Sequence, residues 1–162
     1  MKILLLLRHA KSSWKEDNLS DHERPLNKRG KREAPEAGKY LRQQEWLPDL
    51  ILCSTAVRAR QTVDALVEKS GYRGKIEYRD DFYANGPEPY FAALRTLPDE
   101  VKSVMIVAHN PDMEQALAAL TGQYQPLPTA GLARLELAIN SWKEFKPSVG
   151  KLLAAWRPPQ EG

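Results

Sequence analysis

Two histidines and two arginines stand where a catalytic group is most useful, just beyond short aliphatic runs. Arg8-His9 follows Ile3–Leu7, and His109-Asn110 follows Ser103–Ala108. Ser54 and Thr55 follow Leu50–Cys53, and Arg58 comes one helical turn later. An imidazole near neutral pH serves as a nucleophile or as a donor to oxygen. Two guanidinium forks suit phosphate oxygens, which they bind with paired, directional bonds. Four such groups repel one another unless an anion sits between them. The inferred ligand is therefore a phosphoryl group. The third histidine, His22, falls in the long loop after the first aliphatic run.

The elements that must position these groups alternate. Ile3–Leu7, Leu50–Cys53, Lys75–Tyr78 and Ser103–Ala108 read as strands, three of them continuous apolar runs of the kind covered on both faces. Asn27 can cap a helix running to Gln44, with Pro35 early in it, where a later start or a bend is expected. Helices are also predicted over Thr55–Ser70, closed by Gly71, over Pro87–Leu97, and over Pro111–Leu120, where proline occupies a favoured first position. Gly131–Ile139 and Lys151–Trp156 follow as strands with no room for a crossover helix, so they should pair antiparallel. The expectation is an α/β fold: a three-layer α/β/α domain over residues 1–157 with a mostly parallel sheet, helices on both faces and an antiparallel edge strand, then a tail over 158–162. In such sheets ligands bind beyond the carboxyl ends of the strands, where Arg8, His9, Arg58 and His109 all fall.

Composition agrees with a single domain. The 162 residues are 42% hydrophobic and 28% charged, and the longest N-terminal apolar run, Ile3–Leu7, is too short to cross a bilayer or to act as a secretion signal. A cytoplasmic protein with no membrane partner is expected. One cysteine, Cys53, excludes an internal disulfide framework and a multi-cysteine zinc site, and its place in a strand makes it a core residue. The net charge is only +3. The basic stretch Arg24, Lys28, Arg29, Lys31, Arg32 reads as a solvated helix start, and with no nucleic-acid motif nearby no nucleic-acid partner is expected.

The same residues resemble a known family. Leu7-Arg8-His9-Ala10 is similar to the Arg-His-Gly signature of the histidine phosphatase superfamily, with alanine for glycine. Arg24-Pro25-Leu26 with Gly30 resembles the family's entry to its first helix, and Ser54–Thr62 (STAVRARQT) resembles its "S-x-x-x-R-A-x-Q-T" segment. Ala108-His109-Asn110-Pro111 and Pro128–Gly131 complete the series in order. The compact length, without insertions between motifs, resembles the SixA-type phosphohistidine phosphatases rather than the larger phosphoglycerate mutases of this phosphoglycerate-mutase-like fold.

The resemblance implies that His9 attacks phosphorus in line and carries a transient phosphoryl group. It implies that Arg8 and Arg58 hold the non-bridging oxygens and that His109 stabilises the transition state, with no metal and no cofactor. Ser12 and Asn110 are expected to contact substrate, and Lys11, Ser13 and Trp14 to border the mouth. Larger members supply a carboxylic acid after the third strand. Here its place falls near Ala84, with Asp80 and Asp81 as the nearby candidates. A missing acid damages cleavage of an alkyl ester more than of phosphohistidine, whose P–N bond is labile. The implied activity is a metal-independent phosphatase acting on phosphohistidine of a signalling protein, such as a phosphotransfer domain. The alternatives are a phosphomonoesterase of small phosphorylated metabolites, with Asp80 or Asp81 as acid, and a non-catalytic phosphate-binding module.

Overall fold

A computed structural model describes residues 1–15 and 18–160 of the chain. Among these, six strands and four α-helices alternate: β1 (Lys2–Arg8), α1 (Lys28–Gln44), β2 (Leu50–Ser54), α2 (Val57–Ser70), β3 (Lys75–Arg79), α3 (Glu88–Arg95), β4 (Ser103–Ala108), α4 (Asp112–Thr121), β5 (Leu132–Leu137) and β6 (Gly150–Trp156). They form one sheet of order β3-β2-β4-β1-β5-β6. β1, β2, β3 and β4 run parallel, β5 runs antiparallel to β1, and β6 runs antiparallel to β5. The reversed strand is thus β5, one place in from the edge, while the edge strand β6 points the same way as β1.

The period-2 alternation of strand side chains divides the core into two layers. Leu4 and Leu6 of β1, Leu50 and Leu52 of β2, and Val104 and Ile106 of β4 pack with Phe91 and Leu94 of α3 and Met113 and Leu117 of α4. Leu5, Leu7, Ile51, Cys53, Met105 and Val107 face the other way, onto Ala37 and Leu41 of α1 and Val63 and Leu66 of α2. Strands covered on both faces explain the unbroken aliphatic runs. Cys53 lies in this second layer, fully buried, and burial pushes its thiol pKa far up, so it is a core residue.

α1 starts where the sequence predicts, with the Asn27 side chain accepting from Gly30 N, and it runs through Pro35 without a break. The carbonyl that Pro35 leaves without its helical donor belongs to the solvent-exposed Lys31. α1 and α2 touch closely at Gly38, where an added Cβ would sit 2.5 Å from Leu66 O. α2 begins two residues later than expected. Ser54 Oγ accepts from Ala56 N, and Ala56 is extended (ψ 141°), so the turn between strand and helix is used to aim Ser54 and Thr55. The described part of the C-terminal tail, residues 158–160, lies against α1: Pro158 is buried and Arg29 Nη2 donates to Gln160 Oε1 at 3.3 Å. Residues 161–162 of that tail lie outside the described residues.

Candidate active site

All four predicted residues meet at the carboxyl edge of the sheet. Arg8, His9, Arg58 and His109 line one cavity of about 290 Å³, together with Ser12 and Asn110. Arg8 ends β1 and His9 follows it. His9 N donates to Ala108 O, which fixes the β1 exit against the β4 exit, where His109 emerges. The two imidazoles lie 5.1 Å apart between centroids, tilted by 53°.

The motif residues around them have structural work of their own. Ala10 N donates to Thr62 Oγ1, and Thr62 Oγ1 donates to Arg58 O, so the loop after His9 is tied to the turn that carries Arg58. Gln61 Oε1 accepts from Leu26 N. Ser13 N donates to Pro25 O and Asn27 N to Lys11 O, and Ser12 and Leu26 form an antiparallel bridge, so the Arg24-Pro25-Leu26 segment pairs with the His9 loop. Gly30 allows this approach, because a Cβ there would fall 2.1 Å from Lys11 O. Ala130 N donates to the carbonyls of Arg8 and His9, bringing the Pro128–Gly131 turn beneath the same loop.

His9 is held in one orientation. Its Nδ1 lies 2.7 Å from Ala10 O, a carbonyl that can only accept, so Nδ1 carries the proton and Nε2 keeps its lone pair. Arg58 Nε points at that lone pair from 3.4 Å. Burial, then the neighbouring His109, Arg58 and Arg8, push the His9 pKa well below 6.5, overcoming the Ala10 hydrogen bond. Burial and Arg58, with His22 and Arg8 beyond, push His109 down to about 3 against the pull of Asp21. Both imidazoles are therefore neutral at pH 7. His109 Nε2 pairs with Ser54 Oγ at 2.8 Å, while the buried His109 Nδ1 and Arg8 Nε have no partner within the protein. Buried polar groups left in that state cost about 1–3 kcal/mol each.

Asp21 also lines the cavity, and sequence reasoning missed it. It sits in the short 3₁₀ turn Asp21–Glu23 and takes up most of two arginine forks. Arg58 Nη2 donates to Asp21 Oδ2 at 3.0 Å and Arg58 Nη1 to Asp21 O at 2.6 Å. Arg24 Nε donates to Asp21 Oδ1 at 3.0 Å, and Tyr83 OH donates to Asp21 Oδ2. Arg24 Nη1 continues to Ser12 Oγ at 2.7 Å and Ser13 O at 3.0 Å. Burial disfavours the Asp21 carboxylate, but the hydrogen bonds from Tyr83, Arg24 and Arg58 outweigh it and hold the pKa well below the usual carboxylate range. With Nη1 and Nη2 committed to Asp21, Arg58 turns its Nε edge to His9. Nothing in the local sequence distinguishes Asp21 from the nearby acids Glu16, Asp17 and Glu23.

Asp80 and Asp81 do not line the cavity. Their turn buries Phe82 in the core, edge-on to Tyr90, and leaves Asp80 exposed. Asp81 is paired with Arg79 through Oδ1 and Oδ2 at 3.1 and 3.0 Å. Tyr83, the next residue, is the one that turns inward, edge-on to both His109 and His22. His22 itself pairs with Thr55 Oγ1 at 3.0 Å.

Residues 4–83 match the model of the histidine phosphatase superfamily, branch 1. An uncharacterised protein of Mycobacterium leprae is 34% identical over 161 residues, spanning 91% of this chain and 97% of that protein. The crystal structure of a proposed phosphohistidine phosphatase SixA from Agrobacterium tumefaciens superposes with a TM-score of 0.84 at 34% identity, over 97% of this chain and 98% of the other. A proposed SixA from Nakamurella multipartita gives 0.79 at 28% identity, over 97% and 96%. The chain is a phosphatase of the SixA type within the histidine phosphatase superfamily. No helix among the described residues is long and apolar enough to cross a membrane.

Proposed function

We propose that the chain removes phosphoryl groups from phosphohistidine on a signalling protein of the cytoplasm, through a phosphohistidine intermediate at His9 and without a metal. The observation that carries this reading is the fixed tautomer of His9. Its Nδ1 is anchored on Ala10 O, and its Nε2 lone pair faces a cavity rich in arginine. In the reaction His9 Nε2 forms a bond to phosphorus as the P–N bond to the substrate imidazole breaks. Water then attacks the phosphoryl-His9 and releases inorganic phosphate. The transition state is loose and spreads charge over three oxygens, so positioned cations account for most of the catalysis. Arg8, Arg58 and His109 would donate to those oxygens, with Ser12 and Asn110 lining the same cavity as further substrate contacts. Among the described residues, no group of three or more His, Cys, Asp or Glu could hold a metal ion.

The leaving group separates this reading from a metabolite phosphomonoesterase. An alkoxide must be protonated as it departs, and that requires an acid that is protonated near neutral pH. Asp21 is the carboxylate lining the cavity among the described residues, and three donors hold it ionised. A phosphoimidazole that already carries a proton on its far ring nitrogen departs as neutral imidazole, so its P–N bond breaks without an acid from the protein. The test compares kcat/KM on a phosphohistidine-bearing phosphotransfer domain with that on an alkyl phosphate such as glycerol phosphate. A preference of at least 100-fold for the P–N substrate is expected. Equal or faster ester turnover would overturn the assignment.

A further inference from the structure

Trp14 lines the cavity but offers a phosphoryl group no charge. The other lining residues are charged or polar, and among the described residues Trp14 alone is apolar there. It is 71% exposed, so the fold gains little from burying it. It is nevertheless held in place. The Arg24 guanidinium lies 3.4 Å from the centre of its ring, and Arg24 is itself pinned by Asp21, Ser12 and Ser13. One face of the indole is thus fixed on a rigid support at the mouth, and the rest stays open to solvent.

Resting on the phosphatase reading, we propose that Trp14 is a specificity residue: an aromatic platform on which the planar ring of the leaving group stacks, selecting phosphorylated imidazoles over phosphoryl compounds without a ring. Offset-stacked or edge-on aromatic pairs are stabilising beyond the area they bury. A ring held this way is gripped equally before and during bond breaking, so the platform acts on KM more than on kcat.

Two small substrates isolate this effect, because both break a P–N bond and only one carries a ring: N-phosphoimidazole and phosphoramidate. In W14A the ratio of KM for N-phosphoimidazole to KM for phosphoramidate is expected to rise about 3- to 10-fold, the span of aromatic pair energies. In W14F, which keeps a ring, the ratio should stay within about twofold of the wild type on the same basis. Equal changes for both substrates would mean that the indole only braces Arg24, and would overturn the proposal. So would an unchanged ratio, or a wild-type chain that hydrolyses phosphoramidate but not N-phosphoimidazole. Turnover of neither compound by the wild type overturns the phosphatase reading, and the platform with it.

Discussion

Replacing Asp21 by Asn should move two measurable quantities in opposite directions. The carboxylate accepts from Arg58 Nη2 and Arg24 Nε, each at 3.0 Å, and from Tyr83 OH. An Asn keeps one acceptor and places an NH₂ against one of these donors. Arg58 or Arg24 then loses a charge-assisted bond, and the guanidinium whose Nε lies 3.4 Å from His9 Nε2 is free to shift. A displacement of about 1 Å at a reacting centre can cost 10²-fold, so kcat should fall about 10- to 100-fold. The same substitution removes a negative charge from the anion pocket. A phosphoryl on His9 Nε2 would share the cavity with the carboxylate, and two unit charges about 6 Å apart at an effective dielectric of 20 interact by about 3 kcal/mol. The Asp21 side chain is 47% exposed, so solvent screening reduces this to about 1 kcal/mol. Inorganic phosphate should therefore inhibit D21N about fivefold more tightly than the wild type. Steady-state kinetics on phosphoramidate with added phosphate yield both numbers. A kcat within twofold of the wild type would refute the positioning role, and weaker phosphate inhibition would refute the electrostatic one.

Other outcomes follow from the same geometry. R58A should lower kcat/KM about 10²- to 10³-fold, the cost of one preorganised donor, and R58K should recover little of it, because an ammonium cannot serve Asp21 and the phosphoryl site together. Stability should fall as pH drops below about 6.5. His9 and His109 stay neutral in the folded protein while the unfolded chain takes up protons, so each contributes a loss of about 1.4 kcal/mol per pH unit from 6.5 down towards its folded pKa, about 3 for His109. Urea melts at pH 7 and pH 5.5 check this, and a midpoint that does not fall contradicts the neutral pair. G38A should destabilise the fold by about 1–3 kcal/mol, since its Cβ meets the Leu66 carbonyl and not a yielding side chain, and thermal melting would show it.

Most of the frame is legible from local signals. The aliphatic runs that became β1, β2 and β4 are apolar on both faces because helices cover both, and the Asn27 cap and Gly71 stop sit where short-range rules place them. The four residues that meet in the cavity are legible for a topological reason, since each leaves the carboxyl end of a parallel strand or the helix that follows. What local rules do not carry is long-range pairing. The reversal of β5 inside the sheet edge depends on which strand it meets, not on its own residues. Asp21 gains its place from Arg24, Arg58 and Tyr83, which lie 3, 37 and 62 residues away, so only the folded chain brings them to it. Asp80 and Asp81 mislead for the complementary reason: they are near the expected position in sequence, but burial of Phe82 turns their side chains outward.

The most direct test of the central claim is to trap the intermediate. Wild-type protein mixed with ³²P-phosphoramidate and quenched in alkali within milliseconds should carry label that is stable to base, labile to acid, and located at His9 by peptide mapping, with H9N carrying none. Wild-type turnover with no label at any quench time, or label that persists in H9N, would contradict it.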